Sequence, residues 1–385
     1  MHSIPTYLVV GAGFSGAVLA RELAESLPVR IVVVDQRDHV AGNSHTVRDP
    51  RSGVMIHAFG PHIFNTDSER VWKYVNAFGT FRPFVNRVKA RTARGIFSFP
   101  INLHTINQFF GTTFDPSAAR EFVAGLGDPT ITVPANFEEQ ALKSVGRELY
   151  EAFLRGYTQK MWGCDPRELP ASILRRLPIR FNYDDNYYEK RWQGIPEDGY
   201  TAIVARILDH PRIELRLGQR AGRDASGYDH VFFTGPLDAY FDHALGRLSY
   251  RTVAFERIDA GGDFQGTALI NYTQPDVPWT RIHEHKHFAP WETHESTVAF
   301  REYSRETRPG DEPYYPKRLH RDVVLLRGYR EAAESTRGVS FLGRLGTYRY
   351  MDMETVIGEA IAFAADVVAR RRDARPPRVF PDSPA

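Results

Sequence analysis

A glycine-rich segment near the N-terminus has the spacing of a dinucleotide-binding turn. Gly11, Gly13 and Gly16 follow a short apolar run, and the residues after them have helical spacing. Glycines in this pattern allow a tight turn, let a pyrophosphate approach the backbone and pack a helix closely against a strand. Asp35 ends the next β-branched run, where a carboxylate can accept hydrogen bonds from an adenosine ribose. The segment therefore predicts a bound dinucleotide, either NAD or FAD.

Two further segments favour FAD. Gly42 and Asn43 form a second glycine-bearing turn soon after Asp35, which would let the chain pass close to the cofactor. Near the other end of the chain, Arg344 leads to Asp352, just before a predicted helix whose N-terminal amides can bind anionic oxygens. We expect the two ends of the chain to enclose one FAD.

Arginines and aromatic residues are the most distinctive candidates for a substrate site. Aromatic rings stack on bases and sugars, and arginines bind diphosphates through paired, charge-assisted hydrogen bonds. The pattern favours a nucleotide ligand such as UDP, but the same aromatic spacing also fits a buried helix face. The set comprises Phe153, Tyr157, Trp162, Arg176, Tyr187, Arg251, Arg281, Tyr315, Arg344 and Tyr350.

Histidines are less informative about acid–base chemistry. His57 and His62 lie close in sequence to the cofactor-binding region, and each fits a structural role equally well. His283, His285 and His287 alternate along a predicted strand. Because no pattern of carboxylates accompanies these three histidines, we expect no metal site.

The predicted elements that position these residues follow two patterns. Residues 7–34 are predicted to form a strand, a helix and a strand, and residues 203–234 and 339–368 return to that alternation. Residues 103–177 are mostly helical, whereas 251–303 contain short apolar runs typical of antiparallel strands. The predicted fold is α/β, a Rossmann-like FAD-binding domain with an inserted helical bundle and an antiparallel β-sheet domain. We assign 1–80, 197–247 and 328–385 to the FAD-binding domain, 102–178 to the helical bundle with a mobile loop at its end, and 81–101, 179–196 and 248–327 to the substrate-binding sheet domain.

Composition narrows the class of protein. The 385 residues are 42% hydrophobic and 25% charged, as in a globular protein, and this length suggests roughly two or three domains. A net charge of +2 lacks the broad basic field of a nucleic-acid binder. Cys164 is the only cysteine, which excludes an intrachain disulfide, and no apolar run resembles a signal peptide or a membrane span. We expect a cytoplasmic protein with no nucleic-acid partner and no integral membrane segment.

Long blocks along the chain match a known family pattern. They are Gly11–Gly16, Gly60–Phe64, Pro100–His104, Gly156–Gly163, Leu177–Phe181, Thr280–Phe288, Pro313–Pro316 and Gly343–Tyr350. On these blocks the sequence resembles the bacterial UDP-galactopyranose mutases over nearly its whole length. Trp192 and Met161 depart from that pattern, where Phe or Tyr and Gln are expected, but they neighbour the proposed chemical groups and do not replace them.

The resemblance implies an isomerase that interconverts UDP-galactopyranose and UDP-galactofuranose by ring contraction. In this family's reaction, N5 of reduced FAD attacks the anomeric carbon, UDP leaves and returns, and no net redox change occurs. The resemblance also implies NAD(P)H as the external reductant, UDP-galactose as the substrate, a homo-oligomer, and a product used in cell-wall polysaccharide synthesis.

The resemblance also implies a role for each candidate residue. Arg176, on a mobile loop, and Arg281 would clamp the diphosphate, while His62 would lie beside the isoalloxazine; these three are the catalytic candidates. The substrate would contact Asn86, Phe153, Tyr157, Trp162, Tyr187, Arg251, Asn271, Tyr315 and Tyr350. FAD would contact Gly11, Gly13, Phe14, Ser15, Gly16, Asp35, Gln36, Gly42, Asn43, His62, Ile63, Arg344, Asp352 and Met353.

Two other functions stay open on the residues alone. An FAD-dependent oxidoreductase of the amine-oxidase type would share the cofactor domain. A neutral amine needs an apolar slot, however, whereas Arg176, Arg251 and Arg281 suit an anionic substrate. A non-catalytic nucleotide sensor would bind FAD or UDP without turnover.

Overall fold

The structure, a computed structural model, describes residues 4–176, 179–221 and 226–382. Within these ranges it does not describe the side chains of Arg175, Arg176 and His320. In the described ranges, no helix combines the length and the apolar character needed to cross a bilayer.

The strands and helices of the described residues have the following bounds. The strands are β1 (Thr6–Val10), β2 (Arg30–Val34), β3 (Thr46–Arg48), β4 (Met55–His57), β5 (Phe64–Thr66), β6 (Phe81–Pro83), β7 (Val88–Thr92), β8 (Gly95–Phe99), β9 (Trp192–Pro196), β10 (Ile213–Arg216), β11 (His230–Phe233), β12 (Tyr250–Gly261), β13 (Leu269–Tyr272), β14 (Arg281–Glu284), β15 (Ser296–Glu306), β16 (Tyr315–Pro316) and β17 (Val339–Phe341). The helices are α1 (Phe14–Ser26), α2 (Glu69–Asn76), α3 (Leu103–Phe110), α4 (Pro116–Leu126), α5 (Phe137–Leu149), α6 (Gly156–Trp162), α7 (Gly199–Leu208), α8 (Leu237–Tyr240), α9 (His320–Glu334), α10 (Gly343–Gly346) and α11 (Met353–Arg372). A π-helical segment spans Tyr150–Arg155, and short 3-10 helices span Gly42–Ser44, Pro166–Glu168, Ala171–Arg176 and His285–Phe288.

Five parallel strands form the sheet that the dinucleotide motif predicts. Their order is β10-β2-β1-β11-β17, which places the N-terminal strand at the centre. Val9 and Val33 face a core shared with α1, α7 and α11, and Val32 faces a second core that includes Tyr329 of α9. A parallel sheet covered on both faces needs continuously apolar strands, which is the pattern of β1 and β2. The predicted α/β class with a Rossmann-like domain is confirmed.

A second sheet of seven strands has the order β16-β12-β15-β14-β13-β7-β8. Adjacent strands in this sheet are antiparallel, except for β13 and β7, which run parallel. This pair departs from the expected antiparallel arrangement. The connection from β7 to β13 passes through the helical segment, and such a long crossover permits parallel pairing.

Two details differ from the predicted division of the chain. Strands β5, β9 and β6 form a separate three-stranded sheet, although β5 lies in the predicted FAD-binding domain and β6 and β9 lie in the predicted sheet domain. Helix α9 spans the predicted boundary between residues 327 and 328. Its Val323 and Val324 are 52% and 75% exposed, so its apolar residues do not follow a clear helical stripe. The three-domain division itself stays a prediction.

Helices α3 to α6 enclose a further apolar core beside β7 and β8, as expected for the inserted helical segment. Asp115 caps α4 through the amides of Ser117 and Ala118, and Pro116 occupies the first helical turn. Asn136 caps α5 in the same way. Side-chain caps and an early proline favour helix initiation at these positions.

Candidate functional site

One large cavity, of about 1640 Å³, lies between the carboxyl edge of the parallel sheet and the seven-stranded sheet. Val10 and Phe233, the last residues of β1 and β11, line one side, and Asn271 and Arg281 line the other. Ligands of doubly wound sheets bind at this carboxyl edge. A pocket for one small molecule typically measures roughly 300–1,000 Å³. The cavity therefore has room for a dinucleotide with a second ligand beside it.

The glycine-rich turn lines the cavity next to β1. Gly11 has a φ of +109°, and a Cβ there would lie 2.0 Å from Thr234 Oγ1, so only glycine fits. Gly13, the N-cap of α1, has no side chain that could cap the helix. The first amides of α1, which starts at Phe14, have no intrahelical partner and can donate to a pyrophosphate. Gly16 lies behind the turn, against the Gly11 carbonyl, and does not line the cavity.

Asp35 and the segment after it surround the predicted adenosine position. The Asp35 carboxylate accepts from the amides of Ala12 at 2.8 Å and Arg37 at 3.0 Å, which fixes it at the end of β2. The Arg37 guanidinium lies 4.5 Å from the Phe59 ring centroid and donates to Asn43 Oδ1 at 2.8 Å. The predicted residues Gln36, Gly42 and Asn43 line this part of the cavity.

Residues near the C-terminus line the cavity further along. The Arg344 guanidinium lies 5.4 and 5.5 Å from the ring centroids of Tyr315 and Tyr350. Asp352 caps α11 by accepting from the Thr355 amide at 2.9 Å. Burial opposes ionisation of Asp352, but the hydroxyl and amide of Thr355 lower the pKa of its carboxyl below the ordinary value. The predicted residues Phe14, Ser15, Ile63 and Met353 also line the cavity.

His62 lies in the cavity wall as a neutral imidazole. Desolvation lowers the pKa of His62 to about 4, although the Gly60 carbonyl acts in the opposite direction. Nδ1 of His62 lies 2.8 Å from that carbonyl oxygen, so Nδ1 carries the proton. At neutral pH the ring is therefore uncharged and presents Nε2 as an acceptor.

Arg281 is held by a buried carboxylate on the neighbouring strand. In the antiparallel register, Arg281 of β14 lies directly opposite Glu302 of β15 and opposite Asn271 of β13. Directly opposed residues share one face of a sheet, so the three side chains form a row. Arg281 Nε donates to Glu302 Oε2 at 2.8 Å, and the Glu302 side chain is only 1% exposed. Burial raises the pKa of Glu302, but Arg281 and His283 lower it to about 2, so the pair is ionised.

Four tyrosines line the same cavity as Arg281. Tyr157 comes from α6, and Tyr187 from the segment before β9. The rings of Tyr315 and Tyr350 stack with centroids 5.7 Å apart. Burial raises the pKa of Tyr157 above the ordinary phenol value, so its hydroxyl stays neutral. The cavity walls therefore offer aromatic faces and phenol hydroxyls beside Arg281 and Arg344.

Two buried asparagines add polar groups to the same part of the cavity. Asn86 and Asn271 are 2% and 6% exposed. Their Oδ1 atoms have no hydrogen-bond partner in the described part of the chain. Buried polar atoms are usually satisfied, so each of these amides indicates a place for a ligand hydroxyl.

Of two residues predicted to contact substrate, Phe153 lies within the helical core and Trp162 packs against it. Phe153 is 1% exposed, and its ring packs edge-on against Phe97 with centroids 5.4 Å apart. Neither residue lines the cavity. For Phe153 the helical spacing reflects a buried helix face, the alternative reading of the sequence.

Arg251 lies away from the cavity, and the side chain of Arg176 is not among those that the structure describes. Arg251 does not line the cavity, because it donates to the Met161 carbonyl at the end of α6 and pairs with Glu306 at 2.9 Å. Its position is that of a helix-capping residue. Arg176 ends a 3-10 helix at the limit of a described range, and its side chain and residues 177–178, where the mobile loop was predicted, lie outside the described residues.

Sequence reasoning missed several residues of the site. Thr234 and Gly235 follow β11 and line the cavity, and the apolar run that ends in them could have indicated this. Arg37 stands two positions after Asp35 without any distinctive pattern. Glu302 gives no sequence signal, because its role depends on strand register.

One cluster has the composition of a metal site. Atoms of Asp263, Glu284 and His287 lie within 4.8 Å of one another. The Glu284 carboxylate, however, already accepts from three backbone amides at 2.7 to 3.1 Å, and Lys286 pairs with Asp263 at 2.7 Å. His287 lies in a 3-10 helix after β14, so the three histidines do not alternate along one strand as predicted. The absence of a metal stays a prediction.

The fold and the cavity define an enzyme of the dinucleotide-binding Rossmann type. A family model described as UDP-galactopyranose mutase matches residues 152–350, and one described as an NAD(P)-binding Rossmann-like domain matches residues 9–78. The chain therefore belongs to the UDP-galactopyranose mutase family, a family of isomerases, as the sequence resemblance predicts.

Similar proteins carry related names. A "Probable UDP-galactopyranose mutase" of Klebsiella pneumoniae is 52% identical over 363 residues, which cover 94% of each chain. A "dTDP-fucopyranose mutase" of Escherichia coli is 47% identical over 365 residues, covering 93% of this chain and 97% of that protein. The structure of a reduced UDP-galactopyranose mutase matches with a TM-score of 0.74 over 95% of each chain; at 16% identity it bears on the fold alone.

Proposed function

We propose that the protein interconverts UDP-galactopyranose and UDP-galactofuranose with bound FAD. The observation that carries this proposal is the continuous cavity that leads from the dinucleotide-binding turn at Gly11 to the partly buried cation of Arg281. A flavin at one end and a sugar diphosphate at the other would meet inside one enclosure. The relative that is 52% identical supports UDP-galactose as the substrate.

The residues at the parallel-sheet edge fit FAD. The uncapped start of α1 can hold a pyrophosphate, and Asp35 can accept from an adenosine ribose. The second glycine turn packs against the first, since a Cβ on Gly42 would lie 3.4 Å from the Gly13 Cα. Reduced FAD would supply the N5 nucleophile that displaces UDP from the anomeric carbon, and UDP would return after the ring recloses, with no net redox change.

Arg281 would stabilise the diphosphate as it leaves. The Nε of Arg281 is bound to Glu302, which leaves its terminal nitrogens to donate to phosphate oxygens. A fixed cation at the leaving group lowers the barrier, because it needs no reorganisation when charge develops. Arg176 would supply the second half of the clamp.

The other wall residues would orient the sugar and exclude water. The amide oxygens of Asn86 and Asn271 would accept from substrate hydroxyls. The stacked rings of Tyr315 and Tyr350 would cover the apolar faces of the ligand. His62, neutral at physiological pH, would accept a hydrogen bond beside the isoalloxazine without adding positive charge.

Three further features belong to the same proposal. NADH or NADPH would reduce the flavin as an external reductant, the protein would act in the cytoplasm, and the chain would assemble as a homo-oligomer. The proposed substrate also has a close alternative, since the relative that is 47% identical is named for a dTDP-linked 6-deoxy sugar.

A chromatographic assay tests this function. The purified protein is incubated with UDP-galactofuranose, UDP-galactopyranose or dTDP-fucopyranose, with and without dithionite. We expect rapid conversion of the two UDP-sugars, and only after reduction of the flavin. Faster conversion of the dTDP-sugar would reassign the substrate. No conversion with a bound and fully reduced flavin would favour the oxidoreductase or the sensor.

A further inference from the structure

Lys160, on α6, makes an unusual set of contacts outside the cavity. Its ammonium nitrogen lies 2.7 to 3.0 Å from four backbone carbonyl oxygens, so its three N–H groups are shared among four acceptors. No ion pair of Lys160 occurs within the described residues, and Asp276 is the acidic side chain that acts on it. The charge is therefore balanced by carbonyl dipoles. The four acceptors belong to Tyr272, Gln274, Val277 and Trp279.

These carbonyls all belong to the end of β13 and the loop that connects it to β14. Asn271 directly precedes the first acceptor, Tyr272, and Arg281 follows the last, Trp279, by two positions. One ammonium thus joins both ends of the loop to α6. The residues at those ends are an asparagine and an arginine of the substrate cavity.

Other contacts fix the same interface. Gly156 begins α6 so close to the loop that a Cβ would lie 2.2 Å from the Thr273 carbonyl oxygen. The Thr273 hydroxyl donates to the Ala152 carbonyl at 2.7 Å. The helix and the loop therefore meet without intervening side chains, and Lys160 sets their relative position one turn further along.

We propose that Lys160 is a positioning residue for substrate binding, which holds Tyr157 of α6 in register with Asn271 and Arg281 of the β13–β14 hairpin. Tyr157 lies three positions before Lys160, on the same side of the helix, and its phenol is influenced by the charge of Arg281. The inference rests on the proposed function for its UDP-binding and turnover readouts, whereas its hydrogen-exchange readout is independent of that function. The pKa of Lys160, which burial lowers to about 8, still leaves the ammonium charged at neutral pH.

The geometry also gives a specific route to chemical rescue. Four carbonyl oxygens that converge on one cation form the kind of cage that binds a potassium ion in place of its hydration shell. Removal of the side chain in Lys160→Ala would leave this cage open. An ammonium or potassium ion could then occupy the ammonium position, whereas tetramethylammonium cannot donate hydrogen bonds and is too large.

The test compares Lys160→Ala, Lys160→Met and wild type as FAD-loaded proteins. We expect Lys160→Ala to weaken UDP binding and raise KM by about 10- to 100-fold, because small displacements of positioning groups have effects of this size. FAD content should stay unchanged. Ammonium or potassium chloride should recover a large part of the affinity, and tetramethylammonium chloride should not. Lys160→Met, which fills the space without charge, should be equally impaired and not rescued.

A matched control and a ligand-free readout complete the design. Lys143→Ala removes an exposed lysine of α5 and should leave every quantity unchanged in each salt. Amide hydrogen exchange should become faster in segments 153–163 and 269–281 of Lys160→Ala, whether or not the wild type is a mutase. A wild type without turnover would thus refute the proposed function alone.

Several outcomes would overturn the positioning role. The positioning role would be refuted by wild-type UDP affinity in Lys160→Met. It would also be refuted by wild-type rates of amide hydrogen exchange in both segments of Lys160→Ala. A loss in Lys160→Ala that neither ammonium nor potassium reverses would refute it as well. If both variants were insoluble in every salt, Lys160 would be required for the fold and not for the position of the substrate residues. A Lys160→Ala protein that folds only with ammonium or potassium would likewise show that the cation is required for the fold, and would overturn the positioning role.

Discussion

Replacement of Glu302 by Gln tests how the site holds its central cation. Glu302 accepts from Arg281 Nε at 2.8 Å, and its carboxylate lies 3.2 Å from Nε2 of His283. The variant keeps the shape of the side chain but leaves the Arg281 charge without its buried partner. Removal of one member of a buried ion pair typically costs about 3–5 kcal/mol of stability.

The pKa of Glu302 gives a similar magnitude. It falls from an ordinary value of 4.5 to about 2 in the folded protein, and this difference corresponds to roughly 3 kcal/mol. Because the folded-state pKa is the lower one, the carboxylate stabilises the protein above pH 4.5, and that contribution is lost as the pH falls towards 2. The variant should therefore be less stable than the wild type at neutral pH, and the gap should close in acid.

UDP binding should affect the stability of Glu302→Gln more than that of the wild type. With Glu302 neutralised, a bound diphosphate would supply the missing negative charge beside Arg281. UDP should therefore raise the thermal transition of Glu302→Gln by more than it raises that of the wild type. Glu256→Gln, on the exposed face of β12, removes an acid that also pairs with an arginine and serves as the control with little expected change.

Thermal and urea denaturation at several pH values, with and without UDP, would measure these effects. Equal stability of Glu302→Gln and wild type at neutral pH would refute the idea that the carboxylate balances a buried cation. An equal or smaller UDP shift in the variant would show that Arg281 does not meet the diphosphate.

Three other predictions concern single residues of the cavity. Arg281→Ala should lower kcat/KM for UDP-galactofuranose by about 10²- to 10³-fold with unchanged flavin content, because a group that stabilises developing charge is lost. The control variant Arg301→Ala, on β15, should keep the wild-type kcat/KM. Equal effects of the two substitutions would argue against the diphosphate clamp. His62 has a pKa of about 4 against an ordinary 6.5, so protonation favours the unfolded state and stability should fall as the pH drops from 6.5 towards 4. Between about pH 6 and 8, the pH–rate profiles of the wild type and of His62→Gln should have the same inflections, because His62 does not titrate in that range. Gly11→Ala places a Cβ 2.0 Å from Thr234 Oγ1 and should reduce the flavin absorbance of the purified protein; full occupancy would contradict the cofactor position.

Much of the cofactor-binding part of the cavity could be predicted from the sequence, because the residue patterns that indicate it are local. The glycine spacing, the apolar runs of β1 and β2 and the acid at Asp35 act within one βαβ unit, and the structure places them at one sheet edge. The matching blocks likewise indicate the family, which the comparisons confirm. The helical spacing of Phe153 is also local, but it is the same for a core residue and a ligand contact.

The sequence by itself determined the dinucleotide-binding unit, the family and most of the tyrosines and asparagines of the cavity. Only the tertiary structure decided which charged residues act together. Glu302 meets Arg281 because β14 and β15 pair in one register, and a shift by a single residue would turn Glu302 to the other face. Arg251 and Lys160 meet backbone carbonyls because α6 packs against the seven-stranded sheet and its β13–β14 loop. Strand register and helix packing join residues far apart in the chain, and no local pattern of residue types encodes those contacts.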